Sequence, residues 1–264
     1  MDQNQVYGER FGGTGRLYGQ QGVDQLRQAK VAVVGIGGVG SWVAEALART
    51  GIGFISLVDL DDVCVSNINR QIHALDGQVG RLKVSAMAER IKAINPTCEV
   101  SEVADFVTPD NVDKLITGDF HYVVDAIDSV KPKAALINHC VRNKIAIITT
   151  GGAGGQTDPL QITRGDLSKT TQDPLAKKVR QLLRKHYGFS KNPKRKFGVE
   201  CIFSTEPLVY PQPDGSVCGT KSVMENGTRL DCAGGFGAAA MVTASFGFAA
   251  AARVVEKLTQ PIGA

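Results

Sequence analysis

The stretch Val33-Val34-Gly35-Ile36-Gly37-Gly38-Val39-Gly40 decides the fold, together with Leu57-Val58-Asp59-Leu60-Asp61-Asp62 downstream. A β-branched run ends in a glycine cluster, and a helical pattern starts at Ser41. Glycines let backbone N–H groups come close to an anion, and the positive end of the following helix faces the same place. Asp59 closes the next predicted strand, where a carboxylate can accept hydrogen bonds from a ribose. Together these features describe the first half of a nucleotide-binding α/β sheet.

Working outward, the spacing predicts strands over 30–35, 54–59, 98–104, 121–127 and 145–150. Helices are expected over 41–50, 79–94, 109–116 (capped by Thr108) and 131–143. Near-continuous apolar strands alternating with helices imply a doubly wound, mostly parallel, Rossmann-like sheet covered on both faces. Ligands of such sheets sit at the carboxyl ends of the strands, where Gly35, Asp59 and Asp128 fall. A basic helical insertion, a long crossover loop over 205–235 and a C-terminal helix over 236–257 complete the expected fold.

The 264 residues are 43% hydrophobic and include 30 glycines, which suits one turn-rich α/β unit. Met1 to Leu26 is polar and lacks the apolar core of a secretory signal, so a cytoplasmic protein is expected. The six cysteines, at 64, 98, 140, 201, 218 and 232, include no Cys-x-x-Cys pair, which argues against structural zinc. Residues 232–252 carry no charge, but they are mostly Ala and Gly. A closely packed buried helix is expected there; membrane association through this segment is the minor alternative.

Charge is distributed unevenly. Residues 164–197 hold eleven Lys or Arg against two Asp, so this segment carries +9 while the rest of the +4 chain carries −5. A concentrated basic stretch on an acidic body suits contact with a polyanion. Lys177, Lys178, Arg180, Arg184, Lys185, Lys194, Arg195 and Lys196 are the candidate nucleic-acid contacts.

Each candidate in the nucleotide half has a plain structural rival. Gly35, Gly37 and Gly40 also fit GxGxxG, for which a dinucleotide is the commoner ligand. Asn67 and Arg70, in Ser66-Asn67-Ile68-Asn69-Arg70-Gln71, could cap a helix or form a surface ion pair. Lys83 could be a solvated helix charge, and Asp128 an N-cap. Taken together, however, an amide, a guanidinium, an ammonium and a carboxylate around one glycine turn are more than hydride transfer needs. Arg and Lys neutralise triphosphate oxygens, and Asp can hold the Mg2+ that bridges them.

The run GIGGVG, LVDLDDVCVSNINRQ, VGRLKVSA and VVDAIDS resembles the E1-like superfamily of ThiF, MoeB and the ubiquitin-activating enzymes. The resemblance implies adenylation of a carboxylate with ATP and Mg2+ in a homodimer. By position, Gly35, Gly37, Gly38 and Gly40 would line the phosphates and Asp59 would hold the ribose. Asp61 is the second acidic position, Asn67, Arg70 and Lys83 would hold the triphosphate, and Asp128 the metal. An N-terminal arginine, Arg10 or Arg16, would reach the neighbouring site; Arg16 is the preferred candidate. Residues 1–29 then form an arm, 30–155 the ATP-binding region, and 156–264 a substrate-facing region.

RFGGTGRLYG, TTGGAGGQTDP and GTKSVMENGTRLDCA resemble most closely the tRNA threonylcarbamoyladenosine dehydratase branch. That branch implies a tRNA substrate closed to its cyclic form, and association with a cysteine desulfurase or sulfur-acceptor system. A monovalent cation, Na+ or K+, held by carbonyls of the glycine-rich tail stays open. Cys201, Cys218 and Cys232 are either sulfur-accepting thiols or, the favoured reading, small buried hydrophobes. Two rivals are weighed: an adenylyltransferase acting on the Gly-Gly tail of a ubiquitin-like carrier, and a non-catalytic desulfurase partner.

Overall fold

Val31 and Val33 face one apolar cluster while Ala32 and Val34 face another, so the first strand, β1 (Lys30–Val34), is buried on both sides. That period-2 division sets up a sheet with helices on each face. The computed structural model describes residues 3–212, 214–219 and 236–260. β2 (Phe54–Val58), β3 (Glu99–Val103), β4 (Tyr122–Asp125) and β5 (Ile147–Thr150) join β1 in parallel. β6 (Ile162–Asp166) and β7 (Glu200–Ser204) extend the sheet to the order β3-β2-β1-β4-β5-β7-β6. β7 runs parallel to β5, and β6 is the antiparallel edge.

The order reverses between β1 and β4, the switch point where an open α/β sheet leaves a crevice. Register places Val34 beside both Val58 and Asp125, and Asp125 beside Thr149. The loops after β1, β2, β4 and β5 therefore emerge at one level.

One face carries α1 (Gln3–Gln28), α2 (Gly40–Thr50), α3 (Lys83–Ile94) and α7 (Ala240–Leu258); the other carries α4 (Val112–Leu115), α5 (Val130–Arg142) and α6 (Pro174–His186). Small residues seat α7 directly on α2. A Cβ on Gly247 would lie 2.7 Å from Trp42 Cβ and 2.9 Å from the Val39 carbonyl oxygen. Arg253 of α7 grips Glu200 of β7 in a two-point ion pair at 2.7 and 2.9 Å. Among the described residues no helix is long and apolar enough to cross a membrane.

Several expectations need correction. The helix expected from residue 79 begins at Lys83, because 75–81 is spent in turns, with Gly80 at φ 86°. The short helix after β3 follows Asn111 and has no side-chain cap; the Thr108 hydroxyl accepts from the Asp110 amide instead. The residue preceding α5 is Ser129, so Asp128 is not its N-cap. The basic segment is not purely helical, since it supplies edge strand β6 before α6. The N-terminal arm is helical but leaves helical geometry at Phe11 and Gly19 (φ 74°), and the Tyr7 hydroxyl anchors it by donating to the Gly51 carbonyl at 2.6 Å. α7 starts at Ala240, after 236–239 in irregular backbone. Within 205–235, Tyr210–Pro211 and Val217–Cys218 form a small antiparallel pair, while 220–235 lies outside the described residues.

Candidate active site

The turn after β1 has room only for glycine at its two ends. Gly35 has φ 87°, and a Cβ there would press on the Ala126 carbonyl at 2.8 Å. A Cβ on Gly40 would overlap the Gly35 carbonyl oxygen. Between them, Gly37 faces open space. The amides of Gly37, Gly38 and Val39 have no acceptor among the described residues. Three unsatisfied donors at the start of α2 form an anion cradle, with the helix dipole behind them.

Asp59 braces this turn. Its Oδ2 accepts from the Ile36 amide at 2.6 Å and its Oδ1 from the Asp61 amide at 2.9 Å. Burial raises its pKa above the ordinary carboxylate value, opposed first by the nearby Lys83 charge and then by these two donors. The carboxylate thus links the end of β2 to the phosphate cradle and retains lone pairs for a ribose hydroxyl.

The segment after β2 folds over the cradle. Asn67 is buried, and its Oδ1 accepts from the Cys64 amide at 3.0 Å, closing a single 3-10 turn. That turn sends Arg70 back toward Gly38, where a Cβ would lie 3.5 Å from the Arg70 methylenes. The guanidinium is held by the Ser66 carbonyl at 2.6 Å and Asn69 Oδ1 at 2.9 Å. The Arg70 carbonyl accepts from Trp42 Nε1 at 3.0 Å and from the Thr243 hydroxyl at 3.3 Å. Asn69 Nδ2 donates to the Ala238 carbonyl at 2.7 Å. The sequence reading missed Trp42, Thr243 and Asn69. The lone tryptophan, two residues past the glycine turn, was the one available signal.

Lys83 opens α3 with its ammonium 2.7 Å from Asp61 Oδ2; the lysine side chain is 8% exposed and the aspartate 53%. An almost buried cation with a solvent-facing partner can exchange that partner for phosphate at little cost. Asp128 stands exposed on the turn after β4. No cluster of three metal-ligating side chains exists among the described residues. One carboxylate on a turn beside the cradle fits Mg2+, which typically takes one or two carboxylates and completes its shell with water and substrate phosphates.

The structure thus brings Gly35, Gly37, Gly38, Gly40, Asp59, Asp61, Asn67, Arg70, Lys83 and Asp128 to one end of the sheet. Arg10 and Arg16 are elsewhere. Arg10 Nη1 donates to the Ile94 carbonyl at 3.0 Å, at the end of α3, and Arg16 curls over Gly12 and Gly13 of its own helix. Both lie at the amino end of the strands, the opposite pole from their own cradle.

The basic segment traces a stripe between these poles. Asp173 caps α6 at the carboxyl end of β5, accepting from Ala176 and Gly152 amides at 2.9 and 3.0 Å. At the other end, the Tyr187 carbonyl accepts from Arg142, the last residue of α5. Thirteen helical residues span about 20 Å. Lys177, Lys178 and Lys185 are exposed on α6, and Lys194, Arg195 and Lys196 are exposed on the loop that leads to β7. Two candidates turn inward: Arg180 donates to the Thr170 hydroxyl, and Arg184 stacks 5.3 Å over Phe197 while donating to the Ser190 carbonyl. Cys201 is fully buried, and burial pushes its thiol pKa far up, in keeping with a small buried hydrophobe. Cys218 is exposed, and Cys232 lies outside the described residues, as does most of the tail considered for a monovalent cation.

Comparison with known proteins agrees with this geometry. The ThiF family model matches residues 14–263. The tRNA threonylcarbamoyladenosine dehydratase of Escherichia coli (strain K12) is 61% identical over 95% of this chain and 93% of its own. The Bacillus subtilis (strain 168) protein of that name is 45% identical over 74% of each chain. A solved structure of the E. coli dehydratase in complex with ATP has a TM-score of 0.85 at 55% identity, covering 96% of this chain and 95% of that one. A second, in complex with AMP, has the same score at 56% identity, with the same coverage. Glycine turn, braced aspartate, folded-back arginine and overall likeness agree: the chain belongs to the ThiF family.

Proposed function

We propose that this protein is an ATP-dependent enzyme that closes N6-threonylcarbamoyladenosine in tRNA to its cyclic form. The observation that carries the reading is the cradle of unpaired amides at Gly37, Gly38 and Val39, with Arg70 packed over it and Lys83 and Asp128 at its rim. Relatives similar over nearly the whole chain carry the dehydratase name and include structures with ATP and with AMP. AMP is the fragment left when pyrophosphate departs from the α-phosphate.

The cradle amides and the α2 dipole hold phosphate oxygens, and Asp59 orients the ribose. Arg70 and Lys83 stabilise charge that grows as the threonine carboxylate oxygen bonds to the α-phosphorus and the bond to pyrophosphate breaks. Asp128 would hold Mg2+, which supplies charge neutralisation on the phosphates when bound. The carbamoyl group then attacks the activated acyl carbon, its N–H proton passes to solvent, and AMP leaves with the electron pair of the broken acyl–oxygen bond. Both reacting groups belong to one nucleoside, so the second step gains from proximity and needs no enzyme thiol.

The exposed Lys177, Lys178, Lys185 and Lys194–Lys196 stripe suits tRNA phosphates, with Arg180 and Arg184 buttressing it. Exposed Leu17, Met241 and Phe248 support a homodimer in which Arg16, preferred over Arg10, serves the partner's site. We divide the chain into a 1–29 arm, a 30–155 nucleotide region and a 156–264 tRNA-facing region, and place the enzyme in the cytoplasm. Labelled ATP offered with modified tRNA or with a Gly-Gly carrier protein tests the reading. Pyrophosphate release with the tRNA alone supports it, and release with the carrier alone overturns it.

A further inference from the structure

The segment Gly151-Gly152-Ala153-Gly154-Gly155-Gln156 follows β5 and has no part in the nucleotide cradle. It emerges at the cradle's level, because Asp125 of β4 sits beside Thr149 of β5. Its surroundings hold it almost residue by residue. The Gly151 amide donates to the Ile202 carbonyl at 2.8 Å, and the Gly152 amide to Asp173 Oδ2 at 3.0 Å. The Gly155 amide donates to the Gly237 carbonyl at 2.8 Å. Buried Glu206 fixes the exit, accepting from the Thr157 and Asp158 amides at 3.0 Å. Next to Gly237, the Ala238 carbonyl accepts from Asn69, the neighbour of Arg70. Two consecutive carbonyls thus join this loop to the arginine that covers the cradle.

Within the braced loop, the amides of Ala153 and Gly154 have no acceptor among the described residues. Ala153 is only 9% exposed, and buried backbone donors are rarely left unpaired. Gly155 follows at φ 74°, the kind of turn in which successive amides make an anion-binding concavity. A Cβ on Gly154 or Gly155 would press on Phe236 at 2.9 and 2.7 Å, so the backbone there stays bare. Gln156, 4% exposed, donates from Nε2 to the Gly152 carbonyl at 2.9 Å. That bond leaves its Oε1 beside the same loop, buried and without a partner. Two orphan donors suit an oxyanion, and one orphan acceptor suits an N–H.

We propose that the Ala153 and Gly154 amides are the oxyanion hole of the ring-closing step, and that Gln156 Oε1 orients the carbamoyl group by accepting from one of its N–H bonds. The inference rests on the reaction proposed above. As the carbamoyl group attacks, the π pair of the acyl C=O moves onto its oxygen, where the two amides meet it. The carbamoyl N–H proton passes to solvent. The C=O then re-forms as the acyl–oxygen bond to AMP breaks, and AMP carries away that electron pair. Adenylation develops its charge on phosphate, so the loop serves the second step.

Ala153→Pro deletes one of the two N–H groups, and the preceding Gly152 tolerates the backbone restriction that proline imposes. A second form, carrying the α-hydroxy acid analogue of alanine at position 153, replaces that N–H by an ester oxygen and keeps the side chain. With ATP, magnesium and threonylcarbamoylated tRNA, adenylation is read from tRNA-dependent ATP–pyrophosphate exchange, and ring closure from the mass of the nucleoside. Both forms should keep exchange within about threefold of wild type, slow ring closure by roughly 10²–10³ and accumulate acyl-adenylated tRNA. Gln156→Met, which keeps the length without the amide, should slow ring closure alone by about tenfold. Ring closure unchanged in the ester form, or lost in step with exchange, overturns the inference. Absence of tRNA-dependent exchange in the wild type overturns the proposed reaction instead.

Discussion

Lys83 and Asp61 form an unequal pair, and replacing either one separates folding from catalysis. The ammonium is almost buried, whereas more than half of the Asp61 side chain faces water. Lys83→Met keeps the aliphatic stem in place and leaves Asp61 to water, so stability should fall by no more than about 1 kcal/mol, the range of a solvent-facing pair. Asp61→Asn strands a buried cation and should cost more, about 1–3 kcal/mol. Catalysis should rank the other way. Losing a charge-stabilising donor costs on the order of 10²–10³ in rate, roughly 3–4 kcal/mol of barrier. Lys83→Met should therefore unfold in urea near the wild-type midpoint yet lose ATP–pyrophosphate exchange by roughly that factor. Exchange within about tenfold of wild type, or a stability loss exceeding that of Asp61→Asn, would refute the reasoning.

Other outcomes follow from the same structure. His73 is buried with both ring nitrogens unpartnered, and its pKa is lowered to about 4 from 6.5 by burial and then by the Lys83 and Arg90 charges. Between those values the unfolded chain binds the extra proton, so stability should fall as pH drops from about 6.5 to about 4, by at most about 3 kcal/mol for this group. His73→Phe should flatten that slope in urea titrations across the same range. Neutralising Lys194, Arg195 and Lys196 together should reduce the log–log salt slope of tRNA affinity by about two to three units and leave ATP binding intact. An unchanged slope would place the tRNA elsewhere. ATP should raise the melting temperature and NAD should not; Gly40→Ala, which forces a Cβ into the Gly35 carbonyl, should abolish the ATP effect.

The parallel core was legible because β1, β2, β4 and β5 are buried on both faces and so appear as largely apolar, β-branched runs. The edge region was not. β7 opens with Glu200 and holds only the short apolar run Cys201-Ile202-Phe203 soon after a basic loop, and β6 exposes Thr163 and Arg164, so the edge carries a weaker apolar signature than the core. α1 contains Gly8, Gly12, Gly13, Gly15 and Gly22, a composition that argues against helix, and it breaks at Gly19, whose φ is 74°. Tertiary anchors such as Tyr7 on Gly51, with Phe11 stacked 4.6 Å from Tyr7, override that propensity. The glycine turn and its charged rim were legible because their chemistry demands particular residues in order. The donors of the loop after β5 were not, since tertiary contacts that no residue type announces decide which backbone amides stay unpaired.

The most direct test of the central claim is the nucleoside composition of tRNA treated with the purified protein, magnesium and ATP, analysed by mass spectrometry under conditions that preserve the cyclic product. The account predicts that N6-threonylcarbamoyladenosine loses one water, with one AMP and one pyrophosphate formed per nucleoside converted, and no conversion without ATP or in Arg70→Ala. Modified tRNA left unchanged by folded, ATP-binding protein, or converted equally well by Arg70→Ala, would contradict it.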